Sequence, residues 1–165
     1  ATGNIASAGA LSSQLQTDIT AVIKSYKRPD SGEISMYYEL DNTFYSASSR
    51  TFIGSVMGAL GLRNIADGVD SPKAAGYPQL TPEYIVKQDP DVIFLADTKC
   101  CQQTPQTVAA RPGWDAIHAV KTGQIFALDD DISQRWGPRI LDLIRVIVTA
   151  LSGVVARETP AFASS

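Results

Sequence analysis

Leu80–Ala96 reads LTPEYIVKQDPDVIFLA, a short helix followed at once by a strand. Thr81 is placed to cap the helix with its hydroxyl, and Pro82 suits the first helical position. Glu83 then falls near the positive end of the helix dipole. Ile85 and Val86 supply the inward face. Pro90 ends the helix and biases Asp89 toward extended backbone. Val92-Ile93-Phe94-Leu95-Ala96 is a continuous apolar run, β-branched and aromatic, of strand length. Such a run marks a strand buried on both faces, as in a parallel α/β sheet. Asp97, Thr98 and Lys99 follow directly, and ligands of open α/β sheets meet the chain just past the carboxyl ends of strands.

Upstream, Ile5, Ala8, Leu11, Leu15, Ile19, Val22 and Tyr26 recur at helical spacing with polar residues between them. They predict a long amphipathic helix from Asn4 to Tyr26, roughly 33 Å at 1.5 Å per residue. Lys24, Lys27 and Arg28 favour its negative end and Pro29 closes it. EISMYYEL, Glu33–Leu40, reads as a strand. DNTFYSASSRTF follows as a polar loop carrying the exposed-looking aromatics Phe44 and Tyr45. Ser48 or Ser49 is placed to cap a helix from Arg50 to Leu60, stopped by Gly61. Asn64-Ile65-Ala66 suggests a short strand, and Asp67 to Gln79 an irregular loop.

Downstream, Lys99–Gln106 is polar loop, and Thr104 or Pro105 starts a short helix to Ala110. Pro112–Ile117 is turn-like. Lys121-Thr122-Gly123 turns the chain into Gln124–Leu128, QIFAL, a second buried strand. Pro138 begins a last helix whose apolar face is Ile140, Leu141, Ile144, Ile147, Val148, Leu151 and Val155. The pattern predicts a three-layer α/β fold. Its sheet is mostly parallel with helices on both faces, and a long N-terminal helix lies along one side.

The totals fit that outcome. The 165 residues suit one domain, and 44% hydrophobic with 19% charged residues supports a sizeable core. A net charge of −3 leaves no nucleic-acid footprint. No apolar run reaches membrane-spanning length.

Several residues invite chemistry. Phe44, Tyr45 and Trp136 lie on loops at strand or helix ends, where aromatics either stack on a flat ligand or pack beneath the loop. Arg135 beside Trp136, together with Lys99 at a strand end, suits an anionic ligand, although surface solvation explains Lys99 as well. Asp129-Asp130-Asp131 resembles a hard-cation cluster. Three adjacent acids converge poorly on one ion, so capping or solvation is the better reading, and no metal site is assigned. His118 is the single histidine. Cys100 and Cys101 are adjacent, outside any CxxC spacing; they form either a strained vicinal disulfide or two thiols. GxSxG, HExxH and P-loop patterns are all lacking, so no catalytic residue or cofactor is assigned. An α/β enzyme using Cys100 or Cys101 as nucleophile or redox centre is the alternative, and it lacks an evident partner residue.

Taken in order, the residues resemble the C-terminal lobe of class III substrate-binding proteins of ABC importers, the group of vitamin B12, ferric-siderophore and haem receptors. The matching segments are the first helix, ISMYYELDNTFYSASSRTFIGSVMGALGLRNIAD, PQLTPEYIVKQDPDVIFLAD and RPGWDAIHAVKTGQIFALDDDISQRWGPRILDLIRVI. They cover nearly the whole chain. The resemblance implies two lobes joined by a rigid helix, with residues 1–28 as the distal part of that helix and residues 29–165 as the C-terminal lobe. It implies that the chain is a fragment, with an N-terminal lobe and its export signal or lipid anchor missing. It further implies an extracytoplasmic location and a metal-chelate ligand: siderophore, haem or cobalamin. Phe44, Tyr45, Lys99, Arg135 and Trp136 become ligand-side candidates, and Glu83 matches the exposed glutamate that docks on permease arginines. Those cleft loops vary within the family, so the ligand itself does not carry over, and Cys100-Cys101 lies outside the shared pattern.

Overall fold

A computed structural model describes residues 3–27, 32–129 and 139–154, with the backbone alone for 3–12. Among the described residues, four strands form one sheet: β1 (Ile34–Glu39), β2 (Leu62–Asn64), β3 (Val92–Leu95) and β4 (Ile125–Ala127). Their order is β2-β1-β3-β4, and every pairing is parallel. β1 and β3 sit side by side at the centre, from Met36 opposite Val92 to Glu39 opposite Leu95. All residues of both are buried, which explains the unbroken apolar run of β3; β1 also buries Ser35 and Glu39.

Side chains alternate between the two faces of the sheet. Ile34, Met36, Tyr38, Val92 and Phe94 point to one side. There they pack with α1 (Gly3–Ser25), α2 (Phe52–Ala59) and α6 (Ile140–Leu151). Tyr37, Ile93, Leu95 and Ile125 point to the other. There they meet α3 (Pro82–Gln88), α4 (Pro105–Ala109), α5 (His118–Lys121) and the fully buried Trp114. The expected three layers are therefore present. The long first helix packs beside α6 through Ile19, Leu15 and Val22.

Local chemistry moved several boundaries. Thr51, rather than Ser48 or Ser49, caps α2, its hydroxyl accepting from the Gly54 amide at 3.0 Å. Both serines are otherwise engaged. The Ser48 hydroxyl donates to Asp70, and Ser49 donates through its amide and hydroxyl to Asp67. The short strand lies at Leu62–Asn64 instead of Asn64–Ala66. Asn64 ends it because its side chain accepts from the Ala66 amide and donates to the Ala47 carbonyl, starting a 3-10 turn at Ile65–Gly68 that takes in two residues expected as strand and the first two expected as loop. Asp89 is left-handed (φ 48°, ψ 63°), not extended. It closes α3 by donating to the Ile85 carbonyl, while its carboxylate accepts from the His118 amide at 2.7 Å. The interior cap outweighs the steric bias exerted by Pro90. α3 otherwise follows expectation, with Thr81 accepting from Tyr84 and Pro82 at the first turn.

Candidate functional site at the carboxyl edge of the sheet

The strand order sets a topological switch point. The chain leaves β1 through α2 on one face to reach β2, and leaves β3 through α4 and α5 on the other face to reach β4. These connections depart in opposite directions, so the carboxyl ends of β1 and β3 mark the topological switch point, the usual ligand position in such sheets. Glu39 ends β1 there, and Asp97 lies just past the end of β3.

Glu39 is fully buried and accepts two bonds from Arg111, both 2.7 Å. Arg111 also donates to the Gln103 side chain at 2.9 Å. Its guanidinium carbon lies 4.6 Å from the centre of the Trp114 ring and 5.3 Å from that of Phe44. A planar cation between aromatic faces and a forked carboxylate is well matched to its geometry. Asp97 is 0% exposed, and no donor reaches either carboxylate oxygen among the described residues. Burial, then the charge and carboxyl of Glu39, push its pKa up to about 7. The Tyr37 phenol is likewise pushed up, chiefly by burial and then by Glu39.

The aromatic candidates divide. Phe44 has a positive φ of 69° and is half-buried, tilted against Trp114 at 6.1 Å between ring centres. It forms part of the wall over Arg111. Tyr45 is 40% exposed and shares a shallow surface depression with Tyr77, Lys73 and Gln79. Lys99 is ion-paired with Asp129 at 2.8 Å, joining the loops after β3 and β4. Thr98 donates to the Leu128 carbonyl between the same two segments. Arg135 and Trp136, with Asp130 and Asp131, lie outside the described residues. Cys100 and Cys101 are two thiols, not a disulfide. His118 sits at the opposite, amino edge, where the neighbouring Ala119 amide donates to Pro90.

The central group of Glu39, Asp97 and Arg111 was not singled out from the sequence. A signal existed: a glutamate closing an otherwise apolar strand and an aspartate directly after VIFLA. Arg111 gave none, because its partner is far away in the chain.

α3 runs back against the strands, so its first turn lies toward the same carboxyl edge; the Leu80 amide there donates to the Phe44 carbonyl. Glu83 is exposed in that turn. It borders a shallow depression with Val86, Lys87, Pro112 and Gly113 and forms no ion pair among the described residues.

Comparison with known proteins gives this arrangement its context. Residues 1–132 match the family described as periplasmic binding protein. A cobalamin-binding protein of Halobacterium salinarum is 32% identical over 148 residues, 86% of this chain and 38% of its own. A Bacillus subtilis protein described as an uncharacterized ABC transporter substrate-binding lipoprotein, YvrC, is 25% identical over 81% of this chain and 40% of its own. The chain thus spans well under half the length of these relatives. A possible iron-binding (periplasmic solute-binding) protein of Staphylococcus epidermidis has the same fold, with a TM-score of 0.73 and 24% identity over 87% of this chain and 54% of that one. Sheet order and sequence match together place the chain in the periplasmic binding protein family.

Proposed function

We propose that the chain is the C-terminal lobe of a substrate-binding receptor of an ABC importer, acting outside the cytoplasm on a metal-chelate nutrient. Residues 1–28 then form the distal part of the inter-lobe helix, and residues 29–165 form one wall of the cleft. The observation that carries this reading is the switch in chain direction between β1 and β3, at whose carboxyl ends the Glu39–Arg111 pair packs against Phe44 and Trp114. The identity to a cobalamin-binding protein favours a corrinoid over haem or a ferric siderophore. Phe44, Tyr45, Lys99, Arg135 and Trp136 are the proposed ligand-side residues, and Glu83 the proposed contact to permease subunits.

The thiol-enzyme alternative gains no support. The single histidine lies at the amino edge, across the length of β3 from Cys100 and Cys101. A strand of that length spans roughly 13 Å, beyond the hydrogen-bond reach a general base needs.

The test is a titration of the chain with cyanocobalamin, haemin and a ferric hydroxamate, followed by tryptophan fluorescence. Saturable binding of one chelate, weakened by Tyr45→Ala, is the expected result. No saturable binding of any of the three, by the chain alone or joined to an N-terminal lobe, refutes the receptor reading.

A further inference from the structure

Asp97 has an environment that an ionised carboxylate does not tolerate. It is fully buried, and both oxygens lack a donor among the described residues. The carboxylate beside it, Glu39, is already committed to the two-pronged bond with Arg111. An ionised carboxyl buried without hydrogen bonds costs several kcal/mol, whereas a protonated one becomes a donor. The acceptor within reach is Glu39 itself. Two carboxyl groups sharing a site resolve their repulsion by holding one proton between them.

We propose that Asp97 is held as the neutral acid, donating its proton to Glu39, and that this proton positions the Glu39–Arg111–Trp114 wall of the cleft. Asp97 is a positioning residue; it contacts no ligand. The charged and titratable groups facing it are Glu39 and Tyr37 on β1 and Arg111 following α4. Loss of the proton sets a second negative charge beside Glu39. That charge competes for Arg111, which is the cation that Phe44 and Trp114 enclose. The wall is therefore tight at acidic to neutral pH and loosens above it. The inference adds a regulatory property to the receptor reading. The proton is detected without any ligand, so the two readings fail separately.

The direction on stability follows from the raised value. In the unfolded chain Asp97 titrates near 3.8, and in the folded chain near 7. The stabilisation is complete below about 4 and disappears as pH rises through about 7. Asp97→Asn keeps a neutral donor toward Glu39 and lacks the titration. Denaturant unfolding from pH 4 to 8.5 is the measurement. The unfolding constant of the wild-type chain should rise, relative to Asp97→Asn, by at least about tenfold over this range. Trp114 emission, read in a Trp136→Phe background, should shift near pH 7 in the parent and not in Asp97→Asn. Carboxyl 13C labelling of aspartate and glutamate in the wild-type chain gives a readout independent of whether the variant folds. One resonance titrating near neutrality is expected. If every carboxyl titrates below about 5, or if Asp97→Asn retains the pH dependence, the shared proton does not exist.

Discussion

Arg111 shows how one side chain joins distant parts of the chain. It satisfies Glu39, orders Gln103 and fills the space between two aromatic rings. Glu39 has no exposure through which water could replace it. Arg111→Met should therefore destabilise the fold by about 3–5 kcal/mol, because it strands a buried charge. Denaturant unfolding checks this, and Glu39→Gln combined with Arg111→Met should recover part of the loss. Glu83 is the contrasting case. It is exposed, and its favourable interaction with the α3 dipole is worth only about 0.3–1 kcal/mol. Glu83→Ala should leave stability nearly unchanged. In a receptor joined to its permease, it should weaken docking by about 2–5 kcal/mol while ligand affinity stays intact. Glu83→Arg should dock more weakly still. Surface binding to the reconstituted permease and chelate titration separate the two effects, and a loss of chelate affinity would contradict the docking role.

At the scale of elements, α2 depends on a glycine as much as on its cap. Its first turn passes so close to the preceding loop that a Cβ on Gly54 would lie 1.9 Å from the Ser48 carbonyl oxygen. That obstacle is backbone, held in place by the Ser48 hydroxyl on Asp70 and the Ser48 amide on the Gly76 carbonyl. Gly54→Ala should cost at least about 1–3 kcal/mol despite the better helix propensity of alanine. Thermal unfolding beside the exposed control Gly58→Ala, which meets no neighbouring atom, measures the difference. The same loop carries Tyr45 to the carboxyl edge, so the α2 contact also sets where this proposed ligand-side residue stands. α3 is the simpler element, because cap, proline, dipole charge and stop are all local.

For the whole molecule, the carboxyl edge provides one wall and no enclosure. Small-molecule sites bury most of the ligand surface, and a single wall leaves much of it in water. The lone chain should bind its chelate at least about tenfold more weakly than the same chain joined to an N-terminal lobe, a difference of about 1.4 kcal/mol. Isothermal titration of the two forms is the check. Equal affinities would place the complete site within these residues and exclude a two-lobe cleft.

Much of this architecture was legible in the chain. The apolar run Val92–Ala96, the capped helix before it, the period of the first helix and the turn at Gly61 rest on neighbours within one or two turns. Such interactions are the same in any tertiary context. The parallel sheet with two covered faces followed from strand composition alone. The left-handed Asp89, the transfer of the α2 cap to Thr51 and the position of the short strand did not. Each was decided by a partner from another segment: His118, Asp67 and Asp70, and Ala47 respectively. The Glu39–Asp97–Arg111 group belongs with these. Three ordinary charged residues acquired their interaction only when strand order brought two carboxyl ends together and burial removed the water between them.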